Sequence, residues 1–250
     1  MDNTIKTNHN PPSEDELKTS LKQLFDDSRQ LEKTMVMECI YPRDVMLEKD
    51  LPEGNNQITF APFWEIDELN AFVQLHLDHF KFISDYTARA RICLVLYCHI
   101  LEADFPMAVI YNLLRILGHE KPSWMFLGLD EKQKEKVCQY PSGKICEILR
   151  RSAVLKQPIG AMLDRMWKSA IRNSFMHSNY MLTSDRFIPT KGLSPISRNN
   201  INSMQENLMN PTPTIEDIIC HGFSAVSFLS SFNHEYKIYR ELYPIDFTRK

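Results

Sequence analysis

Residues 163–180 read LDRMWKSAIRNSFMHSNY. Leu163, Met166, Trp167, Ala170, Ile171 and Phe175 stand at offsets 0, 3, 4, 7, 8 and 12 from the first of them. That spacing is one face of a 3.6-residue period and predicts an amphipathic helix from Pro158 to about His177. The other face carries Arg165, Lys168 and Arg172 at offsets 0, 3 and 7, a local cationic line and a candidate substrate-binding surface.

Helical patterning continues on both sides of this stretch. Ser13 followed by Glu14, Asp15 and Glu16 reads as an N-cap with acids in the first turn. Leu17, Leu21, Leu24, Leu31 and Met35 then predict a first helix to about residue 36. From Trp64 an apolar stripe runs through Ile66, Leu69, Phe72, Val73, Leu77, Phe80 and Ile83. Residues 86–103 are apolar nearly all round, as in a buried central helix. Phe105-Pro106 opens another helix, with Gly118 as its stop. Further helices are expected from Asp130 through Val137, broken at Pro141-Ser142-Gly143, and over residues 144–155. Thr214 and Asp217 form an acidic capping box before a last helix with Ile215, Ile218, Ile219, Phe223, Val226 and Phe228.

The intervening segments lack this period. Residues 1–13 read as a disordered tail, residues 14–63 as an N-terminal helix with a long connection, and residues 64–250 as the main helical domain. A short strand is expected near residues 57–60. A hairpin is expected at residues 180–191, turning at Thr183-Ser184-Asp185. Residues 192–213 read as a loop. The fold class is all-α: a helical bundle with one small β-hairpin insertion. Ile92, Val95, Leu96, Trp167, Ile171 and Phe175 are the expected core. Glycine supports this class, since only 7 of 250 residues are Gly and turn-rich β-proteins need more.

Composition restricts function less sharply. Lys and Arg total 29 against 32 Asp and Glu, so the net charge is −3. A general duplex-binding protein carries a basic excess, and nucleic-acid contact here requires a local patch. None of the six cysteines forms a C-x-x-C pair, which suits reduced structural thiols in a cytoplasmic protein. The N-terminus has neither a basic start nor an apolar core of the secretory kind, and the longest strongly apolar stretch, residues 92–101, is about half a bilayer span. A membrane partner is not expected.

His76 and His79 share a helix face with Asp78 between them, but no third ligand follows at a matching spacing, so no metal is expected. Glu102 and Asp104 end the apolar helix and read as solvated acids. Glu147 and Arg151 are spaced for a helical ion pair. The glycine-rich phosphate loops and the G-x-S-x-G elbow are absent, which weighs against NTPases, kinases, Rossmann oxidoreductases and α/β-hydrolases.

The basic line ends at Arg172-Asn173-Ser174-Phe175-Met176-His177, an R-N-x-x-x-H. This segment resembles the signature of the HEPN superfamily, an Arg and a His four to six residues apart with a polar residue, often Asn, directly after the Arg. The flanks are similar too: Trp167 and Ile171 precede the Arg as apolar positions, and small Ser178 follows the His. The resemblance covers residues 157–180 as a motif, and residues 64–240 in helical pattern only. It implies a dimeric helical bundle and a metal-independent endoribonuclease of a toxin or defence kind, without a cofactor. RNA, a second copy and an antitoxin or other regulatory protein are the implied partners. A non-catalytic dimerisation, interaction or nucleotide-binding module is the alternative it leaves open.

The implied roles agree with chemistry. A ribose 2′-OH attacks the adjacent phosphate when a base takes its proton and a cation stabilises the added charge. Imidazole suits the proton work, which assigns His177. Guanidinium suits the phosphate, which assigns Arg172, with Asn173 donating to a phosphate oxygen or positioning Arg172. Tyr180 completes the candidate substrate-binding set. It lies one residue later than the tyrosine that a partner nucleotidyltransferase modifies in some family toxins, which argues against carrying that modification over. Residues five apart differ by about 140° around an ideal helix. Two readings of His177 follow: a buried hydrogen-bonded side chain, or a site residue that needs the helix to end or bend near it, or a second subunit to complete the cleft.

Overall fold

Ser13 starts the first helix as its side chain demands. Its Oγ accepts from the Glu16 N–H at 3.3 Å, and its own N–H donates to Glu16 Oε2 at 2.7 Å, a reciprocal capping box. The computed structural model describes residues 10–40, 61–123, 141–189 and 212–243. In chain order these hold α1 (Glu14–Ser28), α2 (Lys33–Ile40), α3 (Ala61–Phe80), α4 (Tyr86–Glu102), α5 (Asp104–Leu117), α6 (Pro141–Leu155), α7 (Pro158–Met166), α8 (Ser169–Met176), β1 (Tyr180–Leu182), β2 (Phe187–Pro189) and α9 (Ile215–Leu242). The architecture is all-α with one small antiparallel hairpin, in register Tyr180 to Pro189, Met181 to Ile188 and Leu182 to Phe187.

The first helix is shorter than its apolar spacing suggested. The Ser28 hydroxyl bonds back to the Leu24 carbonyl, and the Leu31 N–H closes a tight turn on the Ser28 carbonyl, so α2 begins afresh at Lys33. Leu17, Leu21, Leu24 and Phe25 on α1 are fully buried against α9, α5 and α7, so the N-terminal helix belongs to the same core as the rest and is not a separate unit. Residues 10–13, expected to lie in a free tail, are held. Arg165 donates to the carbonyls of Asn10 and Pro11, and Ser224 Oγ donates to the Pro12 carbonyl. The tail before Asn10, the connection before Ala61 with its short strand, the helix from Asp130, and the loop after the hairpin up to Pro211 lie outside the described residues.

α4 and α9 form the centre. Gly222 of α9 sits so close to α4 that a Cβ there would lie 2.5 Å from Cys93 Cβ and 2.8 Å from its Cα. α9 runs 28 residues from a capping box in which Thr214 Oγ1 accepts from the Asp217 N–H at 3.0 Å, as its sequence pattern predicts. It buries Phe228, and packs Phe232 and Tyr239 on Phe25 and Tyr236 on Phe105. α5 is buried from Phe105 through Leu114. α6 is helical from Pro141 through Ser142 and Gly143, and what precedes Pro141 lies outside the described residues.

The segment from Pro158 to His177 is two helices, not one. α7 ends at Met166, Trp167 takes an extended conformation (φ −75°, ψ 112°), and α8 starts at Ser169. The break shifts the phase of the apolar stripe. Leu163, Met166 and Ile171 are buried as expected, but Ala170 is exposed, Trp167 and Phe175 are half-buried, and Ser174 takes an inside position. Leu96 is also buried, while Ile92 and Val95 are half-buried.

Candidate functional site

The break between α7 and α8 has a specific clasp. The Lys168 N–H donates to Tyr97 Oη at 2.7 Å, and that hydroxyl donates to the Met166 carbonyl at 3.1 Å. Tyr97 is a buried residue of α4, so α4 sets where α8 begins. Burial pushes its phenol well above the usual range, which keeps it a neutral donor and acceptor.

One turn into α8, Arg172 meets the C-terminal end of α4. Its Nε lies 2.5 Å from Glu102 Oε1, and its Nη1 donates to Asn173 Oδ1 at 3.0 Å. The two charged side chains are 17% and 21% exposed, enough to meet solvent on one edge. The Glu102 hydrogen bond raises the Arg172 pKa further, so its charge is permanent. Asn173 therefore holds Arg172, one of the two roles expected of it, and Glu102 is an ion-pair partner rather than a solvated acid.

α8 ends at Met176 in a Schellman closure. Ser178 is left-handed (φ 54°), its N–H bonds the Phe175 carbonyl at 2.9 Å, and the Asn179 N–H bonds the Ser174 carbonyl at 2.7 Å. His177 is the C-cap and is exposed, so the buried reading of this histidine does not hold. The helical period persists to this cap, and the Arg172 and His177 side chains leave α8 about 140° apart. Within one chain they do not share a face.

Beside the Arg172–Glu102 pair lies a pocket of about 400 Å³ between α3, the end of α4 and the end of α8, with Glu68, Phe72, His99, Glu102 and Met176 among its lining. Phe72 stacks on His99 at 4.6 Å between ring centres and 21° between planes. His99 Nδ1 lies 3.1 Å from the Val95 carbonyl; a carbonyl only accepts, so this nitrogen is the donor of that contact. Cys98 also borders the pocket, but burial pushes its thiol up to about 12, away from nucleophile chemistry.

The other expected site residues lie elsewhere. Arg165 pairs with Glu16 at 2.6 Å and ties down the N-terminal segment. Lys168 serves through its backbone at the break, and its ammonium helps lower the pKa of buried His221. The cationic line is thus dispersed: the helix break turns its members apart, and carboxylates neutralise two of them. Tyr180 stacks on Phe187 at 5.3 Å and packs on Phe175 at 5.6 Å, an anchor for the hairpin. His76 bonds the Phe72 carbonyl, and among the described residues no group of three His, Cys, Asp or Glu side chains converges as a metal site. Glu147 and Arg151 pair as their spacing predicts, within a cluster that includes Glu120 and Arg150. Cys39, Cys93 and Cys98 are buried free thiols, and Cys146 and Cys220 are exposed free thiols. No single described helix is long and apolar enough to cross a membrane.

Comparison with protein-family models, with curated proteins and with solved structures finds no match. The site therefore stands on its own geometry. Sequence reasoning missed Glu102 as the partner of Arg172 and the pocket with Phe72, His99 and Glu68. The one signal for them was the interruption of the apolar run by His99, three residues before Glu102 on the same face.

Proposed function

We propose that the chain is a metal-independent endoribonuclease of the HEPN kind, with Arg172 as the phosphate-binding cation, Asn173 as its support and His177 as the proton-transfer group. The observation that carries the reading is the held guanidinium. Arg172 meets solvent on one edge, fixed by the pocket-lining Glu102 on one side and by Asn173 on the other, with donors left over for phosphate oxygens. His177 supports it by lying exposed at a helix end, free to exchange protons with solvent or substrate. Because the two leave α8 in different directions, the reading requires a two-fold dimer in which Arg172 of one protomer faces the partner's His177.

The chemistry is internal transesterification. The 2′-OH loses its proton and attacks phosphorus, the phosphorus–O5′ bond breaks, and the leaving oxygen gains a proton. The products are a 2′,3′-cyclic phosphate and a free 5′-OH. The test is cleavage of a labelled RNA by purified protein in EDTA. Cyclic phosphate ends and no cutting of the matching DNA are expected, because DNA lacks the nucleophile. A strict need for Mg²⁺ defeats the reading.

A second reading is favoured by the same ion pair. Glu102 neutralises Arg172, and a chain whose only conspicuous cation at the motif is already paired suits a non-catalytic HEPN interaction module. Folded dimer with no cleavage of any RNA tested would select it.

A further inference from the structure

The pocket beside Arg172 exceeds what phosphate binding and proton transfer need. At about 400 Å³ it falls in the range of small-molecule sites, about 300–1,000 Å³. We propose that it is a nucleobase subsite with a preference for guanine, seating the base of the nucleotide whose phosphate Arg172 holds; the assignment rests on the ribonuclease reading above.

Three features of the pocket choose this occupant. The first is a flat wall. His99 is exposed, with Phe72 stacked behind it, and Met176 borders the same space. A heteroaromatic ring backed by a second ring is a stacking platform for any base. The second is the polar complement. Glu102 is engaged by Arg172, whereas Glu68 is exposed and has no ion-pair partner among the described residues. An ionised carboxylate only accepts. Guanine presents two adjacent donors to it, N1–H and the 2-amino group. Adenine and cytosine each set a ring-nitrogen lone pair beside their amino group, and uracil sets its one N–H between two carbonyls. Glu68 thus selects guanine partly by repelling the others. The third is continuity. Glu102 both holds Nε of Arg172 and lines the pocket, so the base site and the phosphate-binding group share a wall.

Calorimetric titration of the full chain with 3′-GMP, 3′-AMP, 3′-CMP and 3′-UMP tests the proposal. 3′-GMP is expected to bind at least about tenfold more tightly than the rest, the scale of one well-matched base contact. Glu68→Gln, an exposed position that leaves the core intact, is expected to erase that preference while circular dichroism stays unchanged. Arg172→Ala is expected to weaken all four nucleotides alike. Equal binding of the four, a preference that survives Glu68→Gln, or binding of spermidine with no nucleotide binding each overturns it. Cleavage products separate this proposal from the reading beneath it. Cutting without regard to base removes the guanine subsite and keeps the ribonuclease. Guanine-selective binding that depends on Glu68, in a protein that cuts no RNA, keeps the subsite and removes the ribonuclease.

Discussion

Arg172 has five N–H donors and commits two of them, to Glu102 and to Asn173. The pair with Glu102 both aims the guanidinium and weakens its pull on an anion, and these effects part in a kinetic experiment. Glu102→Gln removes one negative charge from the site and slackens the fork, so KM and kcat for an RNA oligonucleotide are both expected to fall. A rise in kcat would make Glu102 a brake instead. Arg172→Ala and His177→Ala are each expected to lower the cleavage rate at least about a hundredfold with the fold retained. His177 is exposed at a helix end, so its loss should leave the melting temperature near that of the parent. His221 predicts a pH effect of stability. It is buried with Nδ1 unpartnered; burial above all, then Lys168, lowers its pKa to about 4, with Asp217 opposing and the Tyr97 ring packed against it. Between about pH 6.5 and 4 the unfolded chain takes up this proton and the folded chain does not. Stability is therefore full above that window and falls as the pH drops through it, by up to about 3 kcal/mol. Glu16, held at about 2 chiefly by Arg165, acts in a lower window, where stability is lost as pH falls from about 4.5. Denaturation midpoints against pH should show both steps. His221→Gln should flatten the first and Arg165→Gln the second.

Elements depend on contacts that lie far apart in the chain. Tyr97→Phe keeps the ring but leaves the Lys168 N–H and the Met166 carbonyl without their bridge, so a loss of about 1–3 kcal/mol is expected in denaturant titration. Because the clasp sets the start of α8, activity should fall further than folding does. Gly222→Ala drives a methyl into the backbone of Cys93 and is expected to cost at least about 1–3 kcal/mol. These positions also mark what the sequence could tell. The capping boxes at Ser13 and Thr214 and the hairpin turn are legible because each is closed by residues within three or four positions. The contact between Arg172 and Asn173 is local in the same way. The break after Met166 is hidden, since the apolar offsets run straight across it and its cause, Tyr97, lies about 70 residues upstream. Glu102 is hidden from Arg172 by a separation of 70 residues. The cationic line fails with them, because it assumed one continuous helix.

At the scale of the whole molecule, the two directions taken by Arg172 and His177 become a question of copies. Light scattering at micromolar concentration is expected to give a dimer. Mixing is more discriminating. If each cleft takes Arg172 from one protomer and the partner's His177, then Arg172→Ala and His177→Ala chains, both inactive alone, re-form one intact cleft in every mixed dimer. Random exchange should return about a quarter of the parent activity. A cleft built within one chain returns none. The central packing of α4 on α9 carries one more consequence, in the order of synthesis. A ribosome delivers α4 with its apolar surface complete, and α9, which covers that surface, follows roughly a hundred residues later. At about 5–20 residues per second that interval lasts on the order of 5–20 s. α1 waits longer still for the same cover. Through that time the newborn chain holds two helical faces still without α9, their largest partner, and it is then that a chaperone has most to offer it.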